Sequence, residues 1–135
     1  MKLLAIDYGN RRIGLAIGDT DDNAVVPYGM IENKGRNFVF DELKKICKDE
    51  DVERIIIGMP VHRNMESEQA KLTEEFIGFI KEKIVIDVIV HDEIFTSKIA
   101  EQDARYEDLM KDRKKGWKDM VAATEILRSY MEKNK

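Results

Sequence analysis

Cysteine and histidine are scarce in this chain, which has one cysteine, Cys47, and two histidines among its 135 residues. A single cysteine excludes an intrachain disulfide and argues against a thiolate metal cluster. No apolar run approaches the roughly 20 residues needed to cross a bilayer, and the first residues do not have the pattern of a signal peptide. We therefore expect a cytoplasmic protein that does not use a membrane, with Cys47 in the core of a helix.

The chain also lacks a strong excess of charge of either sign. Its formal net charge is −4, with 37% charged and 43% hydrophobic residues, which fits a folded domain rather than a disordered acidic chain. The length suits one compact domain with an ordinary core, so we expect a single domain over residues 1–135. A nucleic-acid partner would have to be bound by a local group of cations, because the overall charge is unfavourable.

Apolar patterns near the start predict three consecutive strands, at residues 2–7, 13–18 and 25–32. A tight turn at Gly9-Asn10 joins the first two, which indicates an antiparallel meander. After these strands the pattern alternates between helix and strand. The predicted helices are 37–50, one opening at Ser67, a short one at 97–104 and the last at 117–133; the predicted strands are 55–58 and 85–90.

Three strands followed by alternation predict an α/β fold with a mixed sheet and helices on both faces. The first strand is expected at the centre, with the strand Ile55–Gly58 beside it, because its unbroken apolar run is typical of a strand covered on both faces. Residues 59–65 are predicted to form a loop, and Trp117 is expected in the core.

Three acids follow or open predicted elements in a way that could bring them to one edge of the sheet. Asp7 ends the first strand, Glu93 follows the last strand, and Asp119 lies in the first turn of the last helix. If they converge, carboxylate oxygens with few histidines favour Mg²⁺ or Mn²⁺ over Zn²⁺. Such a site can activate water and stabilise the leaving oxygen of a phosphodiester.

Each acid also has an ordinary structural explanation. Asp7 before Gly9 fits a turn, Glu93 fits a solvated strand end, and Asp119 fits the favourable N-terminal end of a helix dipole. Asp92 competes with Glu93, because adjacent strand residues point to opposite faces and only one of them can face Asp7.

Several cations are candidates for binding a phosphate backbone near these acids. Two arginines lie in the turn shortly after Asp7, and a lysine-rich run precedes Asp119, while a histidine and an arginine lie in the predicted loop. As nucleic-acid contacts they would be sensitive to salt and indifferent to sequence. The candidate substrate-binding residues are Arg11, Arg12, His62, Arg63, Lys114, Lys115 and Lys118.

Four sequence blocks in order resemble the YqgF family, also called RuvX, of Holliday-junction-resolvase-like proteins. The blocks are Leu4–Asp19 (LAIDYGNRRIGLAIGD), Ile56–Pro60 (IIGMP), Asp92–Ser97 (DEIFTS) and Lys118–Leu127 (KDMVAATEIL). Together they span nearly the whole chain, which makes the resemblance specific.

The resemblance implies a ribonuclease H-like fold, with a five-stranded mixed sheet, and a metal-dependent nuclease that trims the 5′ end of precursor 16S ribosomal RNA. By position, the family's acids fall on Asp7, Glu93 and Asp119. Two departures stand out. Asn64-Met65 replaces the usual Asp-Gly pair of one loop, and Ile94 occupies a position where the family has arginine.

The sequence leaves other functions open. The substrate is either structured RNA or branched DNA, as for a Holliday junction resolvase, and the chain is either a monomer or a weak dimer. A noncatalytic, RNA-binding ribosome assembly factor is a further alternative. The Asp7-Tyr8-Gly9 segment followed by Gly14 also resembles a phosphate loop of actin-like ATPases. Those proteins clamp ATP between two related domains, whereas a single domain is expected here, so ATP binding is the less favoured alternative.

Overall fold

The computed structural model describes residues 1–60, 68–93 and 117–134. These residues form a sheet flanked by helices on both of its faces. The strands are β1 (Lys2–Asp7), β2 (Arg12–Asp19), β3 (Ala24–Glu32), β4 (Arg54–Pro60) and β5 (Asp87–Glu93); the helices are α1 (Arg36–Asp49), α2 (Glu68–Lys83) and α3 (Trp117–Lys133). None of the helices described is long and apolar enough to cross a membrane.

The strands form one five-stranded mixed sheet in the order β3-β2-β1-β4-β5. Strands β1, β2 and β3 pair antiparallel as a meander, whereas β1, β4 and β5 run parallel. The predicted central position of the first strand, and the placement of Ile55–Gly58 beside it, are confirmed. The fold class predicted from the sequence is therefore confirmed as well.

The two faces of the sheet bury separate cores. One core packs α1 and α2 against the sheet, and the other packs α3 against the opposite face. In β4, Ile55 and Ile57 belong to the first core and Ile56 to the second, and all three are fully buried. This double coverage explains why β4 is apolar without alternation. Cys47 of α1 lies buried in the first core, as predicted.

Side-chain size alternates along β2 and lets α3 pack close to the sheet. The large residues Ile13, Leu15 and Ile17 face α1 and α2, while the small residues Gly14, Ala16 and Gly18 form the alternate row, which faces α3. A Cβ at Gly18 would lie 2.8 Å from Leu127 Cδ2 of α3 and 3.0 Å from the Ala24 carbonyl oxygen. The small residues of β2 therefore let a helix approach the strand closely on the α3 side, whereas the large residues keep α1 and α2 farther away on the other side.

The strand bounds depart most from the prediction in β4 and β5. Met59 and Pro60 extend β4 as far as the end of β5, because they pair with Asp92 and Glu93 instead of starting a loop. Strand β5 begins at Asp87, two residues later than predicted, and Val85 before it is fully exposed. Apolar β-branched residues at 85 and 86 favoured an earlier start, but they precede the first ladder pair, Arg54 with Asp87.

The last helix spans the predicted residues, but its most buried side is rotated from the predicted one. Helical spacing in the sequence predicts a buried stripe of Trp117, Met120, Val121, Thr124, Leu127 and Met131. Trp117 is only partly buried, which corrects its predicted place in the core. Ala123, Ile126 and Tyr130, which the predicted stripe omitted, are buried against the sheet. The glycine-lined face of β2 explains the rotation, because it accepts this side of the helix closely. Ser67 and the predicted helix at 97–104 lie outside the described residues.

His91 connects β5 to α3. Its side chain is 8% exposed, its Nε2 lies 2.9 Å from Ser129 Oγ, and its ring packs edge-on against Tyr130. Burial lowers the pKa of His91, the charge of Lys133 lowers it further, and Asp92 opposes the shift. The folded protein therefore favours neutral His91 more strongly than the unfolded chain does.

We predict that this lowered pKa makes stability fall in mildly acidic solution. The contribution of neutral His91 is present above the ordinary histidine pKa of about 6.5 and is lost as the pH falls towards the lower pKa of the folded state. Denaturant unfolding of the native chain and His91→Gln should be compared between pH 7.5 and 5. The glutamine keeps a hydrogen-bonding group but does not titrate, so its stability should fall less; parallel curves would contradict the prediction.

Candidate active site

Parallel strands bring the ends of β1, β4 and β5 to one edge of the sheet. Asp7 ends β1, Pro60 ends β4, and Glu93 ends β5. Register pairs Ile6 with Ile57 and Pro60 with Glu93, so all three strands finish at the same side. This is the edge at which open α/β sheets place their ligands. We call it the carboxyl edge.

Asp7 lies in the row of β1 that faces α3. Leu3 and Ala5, the preceding members of this row, are buried in the second core, between the sheet and α3. Asp7 pairs with Gly14 of β2, at the last step of the β1–β2 ladder. Paired residues on antiparallel strands share a face, so Asp7 and Gly14 both lie on the α3 side. Asp7 is partly exposed, as expected at the end of a core row.

Asp119 reaches the same place from the first turn of α3. A Cβ added to Gly14 would overlap the backbone carbonyl of Asp119 and lie 2.9 Å from the Asp119 Cβ. Gly14 thus contacts Asp119 across the face and pairs with Asp7 within the sheet. The structure therefore brings together two of the three predicted acids, although they are far apart in sequence.

Arg12 is bound to Asp119. Its Nε donates a hydrogen bond of 3.0 Å to Asp119 Oδ2, joining the start of β2 to the start of α3. The two side chains are 30% and 25% exposed, so the pair contributes at most about 1 kcal/mol to stability. Its main effect is orientation, because it fixes one carboxylate oxygen of Asp119. Sequence reasoning placed both residues near the site but did not predict this ion pair.

The register of β5 separates Glu93 from Asp92. Ile89 and His91 contact the α3 side, and Glu93 is the next residue in their row. Asp92 follows Val88 and Val90 in the alternate row, and it is exposed. The backbone position thus favours Glu93 over its neighbour. The side chain of Glu93 lies outside what the structure describes.

The candidate cations are only partly covered by the described residues. Arg11 is exposed in the turn after Asp7, and Lys118 is exposed beside Asp119, so both are accessible near the carboxyl edge. The predicted contacts of His62, Arg63, Lys114 and Lys115, and the departures at Asn64-Met65 and Ile94, lie outside the described residues.

The donor set can be compared with the needs of a metal ion. Asp7 and Asp119 supply hard carboxylate oxygens on the same face of one edge, which suits Mg²⁺ or Mn²⁺. Within residues 1–60, 68–93 and 117–134, no three His, Cys, Asp or Glu side chains form a group that could hold a metal. The third candidate, Glu93, is described only by its backbone, which ends at this edge.

Comparison with known proteins gives a consistent family and fold. The family model RuvX, described as Holliday junction resolvase, matches residues 1–133. A relative from Syntrophomonas wolfei, named "Putative pre-16S rRNA nuclease", is 31% identical over 98% of this chain and 94% of its own length. A relative from Clostridium botulinum with the same name is 33% identical, over 98% and 97% of the two chains.

Two solved structures share the fold at low sequence identity. RuvC from T. thermophilus, in complex with a Holliday junction substrate, has a TM-score of 0.64 at 11% identity, over 99% of this chain and 96% of that one. The Fowlpox virus resolvase, in complex with substrate Holliday junction DNA, has a TM-score of 0.59 at 18% identity, over 99% of both chains. These neighbours confirm a ribonuclease H-like fold.

We predict that Gly14→Ala destabilises the protein by about 1–3 kcal/mol, the usual cost of forcing an extra methyl group into a packed site. The new methyl group would push the first turn of α3 away from β2. Gly29→Ala in β3 is the matched control, because among the described residues no atom beyond its own chain neighbours lies within 4 Å of the added Cβ. Denaturant unfolding should separate the two variants; equal stabilities would contradict this account of α3 docking.

Proposed function

This chain belongs to the RuvX family of Holliday junction resolvases, and we propose that it is a metal-dependent nuclease acting on precursor 16S ribosomal RNA. The relatives named above support this substrate, and the trimming of the 5′ end is the step we propose. The observation that carries the proposal is the meeting of Asp7 and Asp119 around Gly14 at the carboxyl edge.

Asp7, Glu93 and Asp119 are the residues we propose to hold Mg²⁺ or Mn²⁺. A bound divalent cation supplies an activated water and stabilises the charge that develops on the phosphodiester. Carboxylates gathered at one edge repel each other, so a cation is favoured between them. The backbone position of Glu93 in the row of Ile89 and His91 supports its inclusion.

Arg12 has two compatible roles in this proposal. Its Nε holds Asp119, and Nε–H is only one of the five N–H donors of a guanidinium group. The terminal nitrogens of Arg12 can therefore contact a phosphate oxygen while Asp119 stays oriented. Arg11, exposed one residue earlier, is proposed to bind the phosphate backbone alone.

The remaining cations are proposed to hold the RNA on either side of the acids. Lys118 is exposed next to Asp119, and His62, Arg63, Lys114 and Lys115 retain this role as predictions from the sequence. Because the formal net charge is −4, binding should depend on these local groups and weaken steeply with salt.

Branched DNA is the second candidate substrate, since the matching family model is described as Holliday junction resolvase. Symmetric resolution of a four-way junction needs two related sites, and hence a dimer. Cleavage of both substrates should be compared at matched salt with Mg²⁺, Mn²⁺ or a chelator. Faster cleavage of the precursor RNA by a monomer would support the first proposal, and paired cuts by a dimer would support the second.

We predict that Asp7→Asn lowers metal-dependent cleavage by at least about 100-fold, beyond the 10–100-fold typical of changes around a metal ligand. The amide removes the negative charge while keeping the shape, so the melting temperature should change little. Asp41→Asn is the matched control, because Asp41 is exposed on α1, which packs against the opposite face of the sheet from α3. Full activity in Asp7→Asn would overturn the proposed site. If the native chain binds the RNA but does not cleave it, a noncatalytic assembly factor would be favoured instead.

The two arginines should differ in kinetics. Arg11→Ala should raise KM, leave kcat nearly unchanged and reduce the salt dependence of RNA binding by about one unit of slope, as for a lost phosphate contact. Arg12→Ala should also lower kcat, because Asp119 loses its 3.0 Å partner. Arg36→Ala on α1 serves as the control for loss of one positive charge. Identical effects of the Arg11 and Arg12 changes would contradict this division.

A further inference from the structure

The turn that follows Asp7 is held by side-chain amides from two distant parts of the chain. Gln69 Nε2, in the first turn of α2, donates a 2.7 Å hydrogen bond to the Tyr8 carbonyl oxygen. Asn33 Nδ2, just after β3, donates to the Gly9 carbonyl oxygen at 3.0 Å. The Asn33 backbone N–H donates to the Arg11 carbonyl oxygen at 2.8 Å. Three of the carbonyls after Asp7 therefore have fixed partners.

The Tyr8 side chain is fixed as well. Its ring stacks on Phe76 of α2, with centroids 4.4 Å apart, and its hydroxyl accepts a 3.2 Å hydrogen bond from Asn33 Nδ2. The turn itself is tight, because a Cβ at Gly9 would overlap the Arg12 carbonyl. Backbone and side chain next to Asp7 are thus held from the α1 and α2 side of the sheet, opposite to the side that Asp7 faces.

These contacts begin where the sheet stops holding Asp7. The ladder between β1 and β2 ends at the pair of Asp7 and Gly14. Beyond it, the peptide that joins Asp7 to Tyr8 is held through the Tyr8 carbonyl and ring. A shift of the Tyr8 backbone would rotate this peptide and move the Asp7 carboxylate. Displacements of about 1 Å in a catalytic group can cost on the order of 100-fold in rate.

Both donors are uncharged amides. An amide can bind a carbonyl oxygen without adding a positive charge that would compete with a metal ion for the carboxylates. Gln69 is further held by Thr73, whose Oγ1 donates to the Gln69 carbonyl at 2.8 Å and lies 3.4 Å from Gln69 Nε2. Thr73 is completely buried, so this support is part of the α2 core.

We propose that Gln69 and Asn33 are positioning residues that set the Asp7 carboxylate for metal binding. This inference rests on the proposed function, because it assumes that Asp7 is a metal ligand. It adds two residues from outside the four sequence blocks of the family, and it assigns to α2 a role in the site on the opposite face. Neither residue touches the substrate in this proposal.

The direct test is Mn²⁺ binding by the full chain, measured by calorimetry without RNA. Gln69→Met keeps the length of the side chain but removes the donor, and Asn33→Ala removes the second amide from a different element. Each should weaken Mn²⁺ binding by about 10-fold, the lower end of the range for changes around a metal ligand. At saturating Mn²⁺, each variant should regain most of its kcat with KM for RNA unchanged.

Asn134→Ala is the matched control. Asn134 Nδ2 donates a 2.8 Å hydrogen bond to the Tyr130 carbonyl near the end of α3, so the variant loses the same type of bond away from Asp7. Its Mn²⁺ affinity should equal that of the native chain. The Asp7→Asn variant gives a second comparison, because Gln69→Met should have no further effect on Mn²⁺ binding once Asp7 is changed.

Unchanged Mn²⁺ affinity in folded Gln69→Met or Asn33→Ala would overturn the positioning role while leaving the proposed nuclease intact. An equal loss in Asn134→Ala would also overturn it, because the effect would then be general. If the native chain binds no Mn²⁺, or binds it equally well with Asp7→Asn, the proposed metal site itself fails, and the positioning role fails with it. Thermal unfolding of each variant verifies that the affinities refer to folded protein.

Discussion

The proposed site depends on how closely the first turn of α3 packs against β2 at Gly14. No side chain separates the helix from the strand there, so Asp119 comes to the position where β1 and β2 end their pairing. A larger residue at this point would hold the helix away, and Asp7 would face solvent without Asp119. The space left by Gly14 allows this approach, although the two carboxylates repel each other. The pair of Arg12 and Asp119 then fixes the direction of one carboxylate.

The two faces of the sheet contribute different parts of the proposed site at the carboxyl edge. The large apolar residues of β2 pack against α1 and α2 on one side, while its small residues pack against α3 on the other. Asp7 and Asp119 belong to the α3 side, and the hydrogen bonds that hold the turn after Asp7 come from Gln69 of α2 and from Asn33. The two sides therefore have different roles, since one supplies the proposed ligands and the other fixes the backbone from which Asp7 extends.

His91 shows how a buried polar residue can connect the fold and the site. It lies two residues before the end of β5 at Glu93, and its ring nitrogen is bound to Ser129 of α3. Tyr130 packs edge-on against the same ring, so two consecutive residues of α3 are held to β5 at this point. Sequence reasoning did not assign His91 a role. The alternation from Ile89 through His91 to Glu93 was the signal that could have identified it.

Local sequence determined the elements, their order and the family. The apolar run of β1, the alternation of β2 and the helical spacing of α3 are properties of neighbouring residues, so their bounds were predicted closely. The pairing of Arg12 with Asp119 and the binding of Tyr8 by Gln69 could not be predicted in this way, because they join residues brought together only by packing. The choice between Asp92 and Glu93 also needed the strand register, since a shift of one residue exchanges the two faces. Sequence thus determined which acids lie near the ends of elements, and tertiary structure decided that Asp7 and Asp119 share a face, because that depends on register and on the space left by Gly14.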